Sequence, residues 1–105
     1  MFGEMGRRII KWSKRSINSR DKIAEWYLTE MGKASVAKFL RDLYATAESV
    51  SDMPTIGICD ELCSTAKRKY YSIAIHPKYR LVYRYNSCTV YIVGIRSNLR
   101  KTKFS

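Results

Sequence analysis

The sequence predicts a small α+β protein in which an N-terminal strand and an antiparallel hairpin of two helices pack on an antiparallel meander of about three further strands. Two observations predict this class. Apolar residues recur at helical spacing between residues 14 and 50, and they alternate with polar residues from residue 68 to residue 97. Because a chain of 105 residues can bury one core, we expect a single domain over residues 1–105.

The first two predicted elements are a short strand and a helix. The segment RIIKW, residues 8–12, turns Ile10 and Trp12 to one face, as a strand does. The apolar stripe of the following helix consists of Ile23, Ala24, Tyr27, Leu28 and Met31. Gly32 is well placed to end this helix, because glycine readily adopts the left-handed conformation of a helix cap.

The second helix has the clearest helical periodicity in the chain. Its apolar stripe consists of Val36, Phe39, Leu40, Leu43, Ala47 and Val50. Since only the short segment GKA joins the two helices, they are expected to lie antiparallel. Each helix then leaves an apolar stripe that must be buried against another element, and the strands that follow are the candidate.

The second half of the chain predicts a connecting loop and three strands. Residues 53–66 have no clear period and contain Pro54 and Gly57, which is typical of a loop. The three strands are expected at residues 69–76, 79–85 and 89–96, with hairpin turns between them. Within each strand, alternation places one set of side chains on one face. In the first two strands these sets are Tyr71, Ile73 and Ile75, and then Tyr79, Leu81, Tyr83 and Tyr85. In the last strand, Val90, Ile92 and Gly94 share one face, and Tyr91, Val93 and Ile95 share the other.

The charge of the chain is strongly segregated. Residues 1–61 hold ten basic and nine acidic residues, a balance of +1, whereas residues 62–105 hold ten basic and no acidic residue, a balance of +10. A field of one sign over half of a protein usually faces a polyanion, such as nucleic acid, a ribosome, an acidic protein or an anionic membrane. The alternative is a basic surface that only confers solubility.

Two arginines of the middle strand define the candidate binding face. Arg80 and Arg84 are four residues apart, so both point to the same face, with about 13 Å between their Cα atoms. This face lies away from the helices and can grip phosphate or carboxylate groups. The alternative is that either arginine pairs with a carboxylate from elsewhere in the fold. Most of the strand tyrosines are expected to pack rather than to bind bases.

No cofactor, metal or membrane segment is predicted. Cys59, Cys63 and Cys88 are odd in number and fit reduced thiols, and His76, the single histidine, leaves a zinc site without a fourth ligand. No apolar run reaches the roughly 20 residues that cross a bilayer. The start of the chain has no apolar segment of signal-peptide length, so we expect a cytoplasmic protein.

The order of these elements resembles the RelE/ParE toxin superfamily over residues 7–101. The resemblance rests on a strand ending in KWS, two helices, MPTIG, KRKYYSIAIHPKYRLVYRY and VYIVGIRS. Its most specific parts are YRLVYRY, residues 79–85, and the Pro-x-x-Gly turn Pro54–Gly57. The resemblance implies a bacterial type II toxin–antitoxin system, in which a cognate antitoxin with a flexible, often acidic segment neutralises the toxin.

The resemblance also implies two possible activities. RelE-like members enter the ribosomal A site and cut mRNA by attack of the ribose 2′-OH, whereas ParE-like members are not nucleases and act on DNA gyrase. The nucleases carry one arginine within the YRLVY motif, which is present here as Arg80. They carry another after the last strand, and Arg96 or Arg100 can take its place. Their strand lysines correspond here to Tyr71 and Ile73, and Phe104 in the tail has no proton to donate. The ParE-like branch is therefore favoured.

Three hypotheses remain at this point. The first is a ParE-like inhibitor of gyrase, whose target or antitoxin surface consists of Lys67, Arg68, Lys69, Arg80, Arg84 and Arg96. The second is a ribosome-dependent endoribonuclease on the same fold, with Arg80 and Arg96 or Arg100 stabilising the charge on the phosphate. The third is a degenerate member that only binds its antitoxin, or a generic basic nucleic-acid binder.

Overall fold

The computed structural model describes residues 7–60, 64, 67–76 and 78–97. Its elements are, in chain order, β1 (Ile9–Trp12), α1 (Lys14–Glu30), α2 (Lys33–Asp52), a 3-10 turn (Pro54–Ile56), β2 (Ile58–Cys59), β3 (Tyr71–His76), β4 (Tyr79–Tyr85) and β5 (Thr89–Ser97). The predicted α+β class is confirmed. The predicted loop over residues 53–66 is wrong at β2, so the part described has four strands after the helices instead of about three.

The strands form one mixed sheet in the order β1-β5-β4-β3-β2. Neighbours from β2 to β5 are antiparallel, while β1 runs parallel to β5 with Ile9 opposite Thr89 and Trp12 opposite Ile92. The N-terminal strand β1 therefore forms one edge of the sheet. Ser13 follows β1 directly, and its side-chain oxygen accepts a hydrogen bond from the backbone N–H of Ser16, which caps the start of α1.

The core lies between the two helices and one face of the sheet. It is built from Tyr27, Phe39, Leu43, Ala47, Val50, Leu81, Tyr83, Val90 and Ile92, all buried. The stripe predicted for α2 is confirmed. The stripe predicted for α1 is wrong at Leu28 and Met31, which are 51% and 58% exposed. Leu28 lies on the flank of α1, and Met31 follows its last residue, so neither reaches the core.

Gly32 joins the two helices in a conformation that requires glycine. Its φ of 99° is positive, as predicted, but its ψ of 176° is extended and not left-handed helical. This region of backbone space is essentially closed to residues with a Cβ. The backbone N–H of Gly32 donates to the Tyr27 carbonyl at 2.9 Å, so the turn also satisfies the end of α1. The tight turn holds the helices antiparallel.

A β-bulge in β5 changes which residues face the core. Val82 lies opposite Gly94 and Tyr83 opposite Ile92, so Val93 is an extra residue. Ile95 therefore packs against the core, while Gly94 faces away from it. The prediction that Gly94 shares a face with Val90 and Ile92 is wrong for this reason.

No helix in the described ranges combines the length and the apolar composition that a bilayer crossing requires.

Candidate functional site

The sheet face that points away from the helices carries the predicted basic residues of β4. Leu81 and Tyr83 are buried in the core, so the alternating residues Arg80, Val82 and Arg84 lie on the opposite face, which we call the outer face. This confirms the predicted placement of the two arginines on one face. The outer face is not open throughout, because Val82 is only 3% exposed.

Arg80 is held by the neighbouring strand. Its Nε donates to the Ser72 hydroxyl at 2.9 Å, and its Nη2 donates to the Ser72 carbonyl oxygen at 3.2 Å. Ser72 is buried in β3, so these bonds fix the guanidinium against the sheet. The motif arginine is thus partly used by the fold, and its partners are neutral oxygens.

Arg96 lies directly opposite Arg80 on β5, so two cations are cross-strand neighbours. Like charges in this arrangement destabilise a sheet unless a counterion is present. Asp60 supplies it: its carboxylate accepts a hydrogen bond from Nη2 of Arg96. The side chains of Arg96 and Asp60 are 12% and 1% exposed, so the ion pair is buried. The carboxylate partner that was the alternative for Arg80 and Arg84 is thus found for Arg96.

Asp60 is the residue that sequence reasoning missed. It follows β2 at one edge of the sheet, while Arg96 lies on β5, with β4 and β3 between them. One signal was present: Asp60 and Glu61 are the last acidic residues before a long basic stretch. A buried arginine in that stretch needs a counterion, and these two residues are the nearest in sequence.

The opposite end of the outer face carries a second basic cluster. The guanidinium carbon of Arg84 lies 4.1 Å from the centre of the Tyr91 ring, which is a close cation–π contact. Tyr91 is the cross-strand partner of Arg84 on one side and of Lys11 in β1 on the other. Lys11 is exposed. Lys11, Tyr91 and Arg84 therefore form one row across three neighbouring strands, which we call the basic row.

The other predicted site residues lie in the segment before β3 or outside the described residues. Lys67, Arg68 and Lys69 are exposed in the segment before β3. Arg100 and Phe104 lie outside the described residues, as does Cys63.

The described outer-face side chains of β3 offer no group for proton transfer. Tyr71 and Ile73, which correspond to the strand lysines of the nucleases, pack against the core. The β3 residues that alternate with them are Ser72 and Ala74, and neither side chain titrates near neutral pH. RNA cleavage needs a group that takes the 2′-OH proton and one that protonates the leaving oxygen. Within the described ranges, no three His, Cys, Asp or Glu side chains gather in a way that could hold a metal ion.

The Pro-x-x-Gly turn is part of the core rather than of the outer face. The buried Tyr83 hydroxyl donates to the Pro54 carbonyl at 2.5 Å and accepts from the Gly57 N–H at 3.1 Å. A Cβ on Gly57 would collide with that hydroxyl and would lie 2.9 Å from the Ser72 carbonyl oxygen. Only glycine fits this close approach, so the motif Pro54–Gly57 and the last tyrosine of YRLVY form one structural unit.

This unit predicts a loss of stability at alkaline pH. Burial raises the pKa of Tyr83 above its ordinary value of 10.0, and the nearby Tyr85 and Tyr71 raise it further, against the lowering effect of the Gly57 N–H. A raised folded-state pKa stabilises the fold fully below the unfolded value, and that contribution is lost as pH rises through the folded value. Urea denaturation at about pH 9 to 11 is expected to give a free energy of unfolding that falls more steeply for the wild type than for Tyr83→Phe. Equal slopes would contradict this.

The chain is a small basic protein with a helical hairpin packed on a mixed sheet. A family model described as "ParE toxin of type II toxin-antitoxin system, parDE" matches residues 10–101. The chain belongs to this ParE toxin family, within the RelE/ParE superfamily of type II toxin–antitoxin systems. No curated protein matches the sequence.

Solved structures share the fold at low sequence identity. The "Chromosomal ParDE TA system from P. aeruginosa" is 13% identical, with a TM-score of 0.71 over 88% of this chain and 97% of that chain. The "YoeB/ParE toxin from Agrobacterium tumefaciens" is 15% identical, with a TM-score of 0.56 over 86% of this chain and 98% of that chain. The YoeB dimer from Staphylococcus aureus is 19% identical, with a TM-score of 0.58 over 86% of this chain and 95% of that chain. These likenesses describe the fold.

Proposed function

We propose that this chain is a ParE-like toxin that inhibits growth by acting on DNA gyrase in the cytoplasm, without nuclease activity. A cognate antitoxin, encoded beside it, neutralises it. Membership of the ParE family supports the choice of gyrase, since the ParE-like branch is the one that acts on this enzyme. The neighbouring structure named as a ParDE system supports the antitoxin partner.

The observation that carries the proposal is the internal use of Arg80 and Arg96. A ribonuclease needs free cations beside an acid and a base at the phosphate. Here Asp60 pairs with Arg96, Ser72 binds Arg80, and the described outer-face side chains of β3 are those of Ser72 and Ala74. This arrangement favours a surface that binds a protein target over a site that cleaves RNA.

The second candidate is a RelE-like, ribosome-dependent mRNA endoribonuclease. The cross-strand neighbourhood of Arg80 and Arg96 favours it, because two adjacent guanidinium groups suit the charge that builds up on a phosphate. In this alternative, Asp60 has to release Arg96 when the mRNA binds, or has to take part in the cleavage reaction itself.

Induction of the protein in cells separates the two candidates. DNA and protein synthesis are followed in parallel by incorporation of labelled thymidine and methionine, and mRNA by primer extension. The gyrase proposal expects DNA synthesis to stop first, with intact mRNA. Early arrest of protein synthesis with cut mRNA would overturn it. In vitro, the purified chain is expected to inhibit supercoiling by gyrase.

Arg80→Ala is expected to reduce growth inhibition in either case, because it removes the cation at the centre of the outer face. Removal of an arginine that dominates a binding surface costs about 2 kcal/mol, or a factor of about 30 in affinity. Arg41→Ala, an exposed position on α2, is the matched control and is expected to stay toxic. A folded Arg80→Ala variant with full toxicity would remove Arg80 from the target surface.

A further inference from the structure

The two basic clusters of the outer face differ in how the protein neutralises them. At one end, Asp60 neutralises Arg96, while Ser72 holds Arg80 by hydrogen bonds to neutral oxygens. At the other end, neither Arg84 nor Lys11 forms an ion pair or a hydrogen bond with any side chain in the described ranges. Lys11 is exposed and Arg84 is half-buried, and cations that a protein leaves uncompensated at its surface are available to an external anion.

The register of the sheet fixes the spacing of these cations. Lys11, Tyr91 and Arg84 are consecutive cross-strand partners in β1, β5 and β4. Neighbouring strands lie about 4.8 Å apart, so the Cα atoms of Lys11 and Arg84 are about 10 Å apart, and their long side chains can reach two nearby anionic groups. The row is therefore a flat, preformed pair of cation positions with an aromatic ring between them.

The stack of Arg84 on Tyr91 prepares the guanidinium for an anion. An arginine held over an aromatic ring loses less freedom on binding, and its N–H edge stays directed away from the ring. Phosphate oxygens match that edge through two parallel hydrogen bonds. The exposed Lys67 and Lys69, before β3, add further positive charge outside the row.

We propose that the basic row of Lys11, Tyr91 and Arg84 is a binding site for the phosphodiester backbone of nucleic acid. Lys11 and Arg84 contact two phosphates, and Tyr91 orients Arg84. A repeating chain of phosphates fits two cations at a fixed spacing across neighbouring strands better than a folded protein surface does. The site lies about 13 Å from Arg80 along β4. It does not depend on gyrase being the target.

Fluorescence anisotropy with the full-length chain tests the site. The probes are labelled 20-nucleotide DNA and RNA strands and a DNA duplex, each titrated from about 50 to about 200 mM salt. The test variant is Lys11→Gln/Arg84→Gln. The matched control is Lys22→Gln/Arg41→Gln, which removes the same charge from exposed helical positions. Circular dichroism checks that both variants keep the wild-type fold.

The double variant in the basic row is expected to weaken binding by about tenfold. It is also expected to lower the slope of log affinity against log salt by about 1.4 to 1.8, because two phosphate contacts are lost. The helical control is expected to stay within about twofold of the wild type. Lys11→Gln alone, which leaves the Arg84–Tyr91 stack intact, is expected to lose about half of that slope. The strand type with the larger loss identifies DNA or RNA as the ligand.

Three results would overturn the proposal. One is equal loss in the two double variants, since it would make the effect one of net charge alone. Another is no binding of any nucleic acid by the wild type at the lowest salt. The third is equally tight, Arg84-dependent binding of poly-glutamate, which would assign the row to an acidic protein partner.

Discussion

Asp60→Ala is expected to lower the free energy of unfolding by about 3 to 5 kcal/mol, because it leaves a buried guanidinium without its counterion. The side chain of Arg96 is 12% exposed, and in the described ranges its Nε and Nη1 have no hydrogen-bond partner. The Asp60 carboxylate is thus the acceptor that compensates the charge of Arg96. Urea denaturation followed by circular dichroism measures the loss.

A double variant separates the unpaired charge from simple loss of packing. Asp60→Ala in an Arg96→Met background is expected to cost much less than in the wild type, since no buried charge remains. Asp21→Ala is the control, because Asp21 also pairs with an arginine, Arg20, but is 62% exposed. That change is expected to cost at most about 1 kcal/mol. Similar losses at Asp60 and Asp21 would show that burial of the pair contributes nothing.

Gly57→Ala is expected to destabilise the protein by about 3 kcal/mol, the sum of overpacking and of weakened hydrogen bonds to Tyr83. The added methyl group meets the Tyr83 hydroxyl and the backbone carbonyl of Ser72, and neither can move away easily. Tyr83 is fully buried, and the carbonyl belongs to a paired strand. Thermal and urea unfolding measure the loss.

Gly94→Ala is the matched control for Gly57→Ala. A Cβ at Gly94 meets no atom within 4 Å, and the residue also lies in the sheet. This substitution is expected to change stability by no more than about 0.5 kcal/mol. If both alanine variants unfold alike, the close approach at Gly57 is not what holds the Pro54–Gly57 turn.

The periodic elements could be predicted from the sequence, and the exceptions have physical reasons. The stripe of α2 is long and regular, so its buried face followed from spacing alone. The strand β2 was missed because two residues, Ile58 and Cys59, are too few to show alternation. The face of Ile95 was misassigned because a bulge inserts one residue, Val93, without changing the pattern of apolar residues.

The candidate site was predictable in its charge and in the face that its β4 arginines share. The alternation of β4 placed Arg80 and Arg84 on one face, and this placement was correct. The partner of Arg96 was not predictable, because Asp60 approaches it across two strands from a segment 36 positions earlier in the chain. The sequence likewise did not single out Lys11, whose position beside Tyr91 depends on the parallel pairing of β1 with β5.

The parallel pairing of β1 with β5 has a consequence for synthesis. Ile9 pairs with Thr89, so the second strand of this pair is made about 80 residues after the first. On the ribosome, β1 therefore stays without its strand partner until β5 has left the exit tunnel. The local hairpin of α1 and α2 can form in that interval, whereas the sheet can close only once β5 is available.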